Sequence, residues 1–269
     1  MGAGIAESAA VSGLQVVVRD VDLAALDRAR TRLDVSLARA VQRGKVAAEG
    51  AQEALARIKL TTELDDIAGA DLVLEAVPED HGLKLEVMGA INRVASDEAV
   101  VASNTSSIPI AELAHALRRP ERVLGLHFFS PVPVMKLVEV VVALDTSSEV
   151  VGTARDFVER LGKRPIETKD RSGFIVNMLL VPYLMAAVRM YDEGFASRED
   201  IDAGMQLGAG HPMGPLALCD FIGLDVLYAV CDSLYEEFKR DEYAPPPLMK
   251  RMVASGRLGR KSGRGFYNY

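Results

Sequence analysis

Cysteine is scarce: Cys219 and Cys231 are the only two in 269 residues. Their spacing suits neither a C-x-x-C redox pair nor a zinc site, so two reduced core thiols in a cytoplasmic protein are expected. Positive charge is also in deficit. Lys and Arg number 31 against 38 Asp and Glu, giving a net charge of -7 and a pI near 5.3. That balance argues against nucleic acid or an anionic membrane as partner. The basic cluster from Arg257 to Arg264 could meet a phosphate, but a solvated tail is the plainer reading. No apolar stretch reaches about 18 residues without charge, and no signal-peptide pattern opens the chain, so a soluble protein with no membrane partner is expected. Internal repeats and low-complexity tracts are missing as well; Pro245-Pro246-Pro247 is only a stiff local turn.

What is present starts with a turn met halfway. Met1-Gly2-Ala3-Gly4-Ile5-Ala6 reads into a helix, and Leu14-Gln15-Val16-Val17-Val18-Arg19-Asp20 reads as the strand after it. A glycine at a helix start, then a β-rich run ending in an acid about 20 residues on, is the back half of a dinucleotide-binding βαβ unit. The front half, an apolar strand and the first two glycines of G-x-G-x-x-G, is not in the sequence.

Strands and helices alternate through the first 170 residues. Asp22 to Arg43 carries apolar residues at helical spacing, and Asp71 to Val77 is a buried-strand run stopped by Pro78. Leu83 to Val94 is helical, and Val100 to Ala102 is a strand ending at Ser103-Asn104-Thr105-Ser106-Ser107. Ile110 to Leu117 is a short helix. Val123 to Phe129 and Leu137 to Ala143 are two more strands, separated by Ser130-Pro131-Val132-Pro133. This predicts an α/β, doubly wound parallel sheet, truncated at its start. From Ser172 the period becomes helical throughout, so residues 1–170 are expected to form a nucleotide-binding domain and 171–269 an all-α one.

Histidine is limited to four positions. His115 reads as a surface residue, His81 could line a cleft without a partner in sequence, and His211 lies in a glycine- and proline-rich turn. His127 differs because it closes an apolar strand, and open α/β sheets place reactive groups at the C-terminal ends of strands. Glu139 interrupts an apolar run on the next strand. Buried without a partner it would cost several kcal/mol, and His127 is the partner on offer. A carboxylate that holds one imidazole nitrogen orients the other as a base and stabilises the imidazolium that forms. A strand-edge glutamate facing solvent is the alternative.

The run His127-Phe128-Phe129-Ser130-Pro131-Val132-Pro133-Val134-Met135-Lys136-Leu137-Val138-Glu139-Val140 resembles the signature of the L-3-hydroxyacyl-CoA dehydrogenases, including bacterial 3-hydroxybutyryl-CoA dehydrogenases. Four more motifs match in order: Ser103 to Ser107, Gly173-Phe174-Ile175-Val176-Asn177, Leu207 to Pro215, and Gly259 to Tyr267. One such motif would be weak, whereas five in order are specific. The resemblance implies a Rossmann-like fold followed by an all-α domain for substrate binding and dimerisation. It implies NAD as cofactor, an acyl-CoA substrate and a homodimer. His127 then resembles the catalytic base and Glu139 the group that orients it. Ser106 and Asn177 resemble the holders of the substrate's C3 oxygen. Gly2 resembles the third glycine of the cofactor turn, and Asp20 the acid on the adenosine ribose. Glu79 and Lys84 fall at cofactor-side or substrate-side contacts. Ser130 departs from the pattern, which usually has asparagine there.

Asp20 also speaks for NAD on physical grounds, since a carboxylate beside the ribose repels a 2′-phosphate. The resemblance puts Met1 just before the third glycine, so the chain starting there is expected to bind NAD weakly. Two other readings remain open. One is a catalytically impaired relative acting as a binding or interaction protein, and the other a gulonate-type sugar-acid dehydrogenase, which shares the His-Glu pair.

Overall fold

Short β-rich runs separated by helices build the unit Met1–Asp170 of the computed structural model, which describes residues 1–269. Its strands are β1 (Val16–Arg19), β2 (Ile58–Thr61), β3 (Leu72–Glu75), β4 (Val100–Ser103), β5 (Val123–Phe128), β6 (Leu137–Val142) and β7 (Arg164–Lys169). Its helices are α1 (Gly2–Val11), α2 (Leu23–Gln42), α3 (Ala48–Ala56), α4 (His81–Val94), α5 (Ile110–Ala114) and α6 (Ser148–Arg160). Asp22 and Asp80 cap α2 and α4 by accepting from Ala25 N and Leu83 N, which relieves the unpaired amides of each first turn.

The strands form two hydrogen-bonded groups, a parallel pair β1-β2 and a five-stranded sheet in the order β3-β4-β5-β6-β7. β3, β4 and β5 run parallel, so their C-terminal ends share one edge. Helix α1 packs on β1, and Gly2 at its start lies against Ala76, just past β3. Ile5 of α1 joins Leu124, Leu126 and Val140 of the sheet and Val150 and Val158 of α6 in one apolar core.

Three details depart from the sequence reading. β6 runs antiparallel to β5, because residues 129–136 are too few for the crossover that a parallel return requires. β2 and β7 were not expected. Ile58-Lys59-Leu60-Thr61 alternates apolar with polar residues, and Arg164-Pro165-Ile166-Glu167-Thr168-Lys169 is mostly polar, so neither presents a buried run.

The unit Arg171–Tyr269 is helical: α7 (Val176–Asp192), α8 (Arg198–Ala203), α9 (Pro215–Ile222), α10 (Leu224–Phe238) and α11 (Pro247–Ala254). Its core gathers Leu184, Val188, Leu216, Leu224, Leu234 and Met249. Leu216 to Phe238 reads in sequence as one helical run, but Gly223 breaks it at φ 106, a conformation that glycine adopts without strain. Ahead of α7 the chain passes through two left-handed residues, Gly173 at φ 77 and Phe174 at φ 51. The second is costly for a side-chain-bearing residue and is held by full burial of its ring. No helix is long and apolar enough to cross a membrane.

Candidate active site

His127 and Glu139 are directly opposed across β5 and β6. The imidazole Nδ1 lies 2.6 Å from Glu139 Oε2. Glu139 is wholly buried and His127 is 7% exposed, so the carboxylate is a partnered group inside the sheet and not a solvent-facing edge residue. In that apolar setting a charge-assisted hydrogen bond is stronger than in water, and it fixes both the tilt of the ring and the nitrogen that carries the proton. The Phe129 ring stands 4.6 Å from the imidazole, centroid to centroid.

The turn after β4 stands beside this dyad. Asn104 Oδ1 accepts from Phe128 N at 2.9 Å, which ties the turn to the end of β5. Ser106 sits in the same turn. Its hydroxyl and backbone N–H both point to Glu79 Oε1, at 3.1 and 2.8 Å. The same oxygen accepts from the Thr105 hydroxyl at 2.7 Å and from Ser107 N and Oγ at 3.0 and 2.9 Å. Burial raises the Glu79 pKa, but the Thr105 hydroxyl, the Lys84 charge and the Ser106 and Ser107 donors outweigh it, and the net shift is downward.

Lys84 is 1% exposed. Its Nζ donates to Glu75 Oε1 and Oε2 at 2.8 and 3.0 Å and lies 3.4 Å from Glu79 Oε2. Removing one member of such a buried pair typically costs about 3–5 kcal/mol, because the other charge is stranded. Glu75 and Asn104 join the site without having been singled out by residue type or spacing. For Glu75 a signal is available, since it is an acid within the apolar run Leu72–Val77, as Glu139 is an acid within another.

The remaining candidates belong to other elements. Asp20 follows β1, where its Oδ1 accepts from Val21 N at 2.8 Å. Gly2 opens α1, whose N-terminus has no side-chain cap, so its first amides can meet a phosphate. The tighter approach belongs to Gly4, where an added Cβ would stand 3.1 Å from Val132 Cβ. An uncapped helix start beside the end of β3 and an acid at the end of β1 fit a dinucleotide. Asn177 occupies the first turn of α7, in the second unit, with its backbone N–H on Gly173 O. Ser130 is exposed. Of the other histidines, His81 pairs with Glu112 at the surface, His115 is exposed, and His211 Nδ1 meets the Tyr183 hydroxyl at 3.1 Å.

A nucleotide-type α/β unit with a buried His-Glu pair at its strand ends, joined to a helical unit, defines a dinucleotide-dependent oxidoreductase. The chain belongs to the 3-hydroxyacyl-CoA dehydrogenase family: residues 1–171 match its NAD binding domain and residues 173–269 its C-terminal domain. It is 49% identical over 271 residues to a 3-hydroxybutyryl-CoA dehydrogenase of Mycobacterium tuberculosis, covering 100% of this chain and 95% of that protein. It is 42% identical over 276 residues to the mitochondrial hydroxyacyl-coenzyme A dehydrogenase of Sus scrofa, covering 100% and 88%. The crystal structure of (S)-3-hydroxybutyryl-CoA dehydrogenase from Ralstonia eutropha superposes with a TM-score of 0.96 at 45% identity, covering 100% of this chain and 95% of that one.

Proposed function

We propose that this protein interconverts L-3-hydroxyacyl-CoA, with 3-hydroxybutyryl-CoA as the expected substrate, and 3-oxoacyl-CoA. NAD, when bound, accepts the hydride from C3 in the oxidative direction. His127 takes the C3 hydroxyl proton through the ring nitrogen not engaged by Glu139, and returns it in reduction. Glu139 holds the ring and stabilises its protonated form. Ser106 is assigned to the C3 oxygen; its single hydroxyl proton, which Glu79 Oε1 accepts at 3.1 Å, is the one it turns to the substrate as negative charge develops there. Asn177 is assigned the same oxygen. Asp20 and Gly2 are assigned to the cofactor, Asp20 by accepting from ribose hydroxyls and Gly2 by admitting the pyrophosphate to the amides of α1. Glu79 and Lys84 are assigned to the cofactor side, Glu79 in contact with Ser106 and Lys84 in contact with Glu79.

The observation that carries this reading is the buried His127-Glu139 pair, 2.6 Å apart at the C-terminal end of β5. A general base contributes roughly 10²–10⁴ in rate. His127→Gln should therefore lower kcat for 3-hydroxybutyryl-CoA oxidation by at least ~10² while NAD affinity stays nearly unchanged. Retention of most of the activity would overturn the assignment.

The second unit is proposed to form a homodimer through α7 and its N-cap, where Ile175, Leu179 and Met190 are exposed. A cytoplasmic site of action accords with two buried free thiols, Cys219 and Cys231.

A further inference from the structure

Two routes of hydrogen bonds run from one buried carboxylate to the turn that carries Ser106, and both start at Glu75. The first passes through the neighbouring strand. Glu75 and Ser103 are register partners on β3 and β4; the Ser103 hydroxyl donates to Glu75 Oε2 at 2.6 Å and accepts from Thr105 N at 3.2 Å. The second passes through charge. Glu75 grips the Lys84 ammonium with both oxygens, and Lys84 faces Glu79 Oε2 at 3.4 Å. Glu79 in turn holds the backbone N–H and hydroxyl of both Ser106 and Ser107.

We infer that Glu75 is a positioning residue for the reaction, acting through Ser103 and through Lys84 and Glu79 to fix the turn that presents Ser106. The inference rests on the role proposed above for Ser106. Glu75 itself is 3% exposed and its carboxylate is filled by three donors, Val77 N, Lys84 Nζ and Ser103 Oγ. It therefore touches neither substrate nor cofactor. Its effect is geometric. With Glu75 ionised, Lys84 is held between two carboxylates and Glu79 keeps its second oxygen for the turn. With a neutral amide at 75, Lys84 is drawn wholly to Glu79, and the carboxylate is pulled away from Ser106 and Ser107.

A lost general stabiliser would weaken many parts of the unit, whereas a lost positioning group weakens one turn. Hydrogen exchange by mass spectrometry on full-length Glu75→Gln should show the amides of Ser106 and Ser107 exchanging at least ~10-fold faster, with β5 and β6 unchanged. Ser103→Ala strands no buried charge and serves if the first variant folds poorly; it should speed exchange at Thr105. In kinetics, Glu75→Gln should lower kcat about tenfold with little change in KM for acyl-CoA, yet less than about twofold further in a Ser106→Ala background. Unchanged exchange in the turn, or an equal kcat loss in both backgrounds, overturns the inference. If the wild type did not oxidise 3-hydroxyacyl-CoA, the functional reading would fall, and the exchange data alone would still decide whether Glu75 holds the turn.

Discussion

Glu139 stands directly across the sheet from His127, its Oε2 2.6 Å from the imidazole Nδ1. The pairing is a matter of register. A slip by one residue would turn every side chain of β6 to the opposite face and put Val138 or Val140 opposite the histidine. β6 is therefore specified both by its apolar neighbours, Val138, Val140 and Val141, which are fully buried, and by the one acid that needs a partner.

Glu139→Gln should keep the ring in place but lose the charge that stabilises the imidazolium. The expected result is a kcat lower by on the order of 10², with KM for acyl-CoA little altered. A change confined to KM would move Glu139 into the substrate pocket.

The sequence disclosed this dyad because both members break a pattern: a histidine ends an apolar strand and an acid interrupts the next. The same logic extended to Glu75, yet an acid at a strand end is commonly solvated, and only Lys84 folding back from α4 makes it buried. Asn104 was less legible still. Its partner is a backbone N–H on β5, which leaves no trace in residue type. The fold divides in the same way. Strands with buried runs were readable, whereas β2 and β7, which mix charged and apolar residues, take their identity from the neighbours they pair with.

Asn104 offers a sharper mutational prediction than its silence in the sequence suggests. Asn104→Ala removes the acceptor for Phe128 N and loosens the link between the Ser106 turn and the end of β5. A lost buried hydrogen bond costs about 1–3 kcal/mol when its partner is stranded, so the melting temperature should fall by several degrees. Because the bond lies one residue from His127, kcat should drop as well. A melting temperature and kcat equal to wild type would show that the turn is held without it.

Glu79 gives a pH signature. Its pKa is lowered from the ordinary 4.5 by the donors around it, against the opposing effect of burial. A depressed carboxylate contributes stability in full above its unfolded value, and loses it as pH falls through the folded one. The melting-temperature gap between wild type and Glu79→Gln should thus be widest near neutral pH and narrow as pH drops below about 4.5. A gap that stays constant across that range would mean that the Glu79 charge contributes nothing.

The α7 face is the last test, and it concerns assembly. Ile175, Leu179 and Met190 are 37%, 73% and 39% exposed, at helical intervals of four and eleven residues that keep them on one side of the helix. The opposite side is already committed, with Val181, Leu184, Met185 and Val188 in the core of the unit. The stripe is the surface that the proposed interface would use. A second copy covers it in the proposed homodimer. Leu179→Glu puts a charge at the most exposed point of the stripe, where burial without a partner is costly. In sedimentation velocity at micromolar concentration the wild type should run as a dimer and the variant as a monomer, with far-ultraviolet circular dichroism unchanged because position 179 lies outside the core. A wild type that sediments as a monomer, or a Leu179→Glu variant that stays dimeric, would place any interface elsewhere.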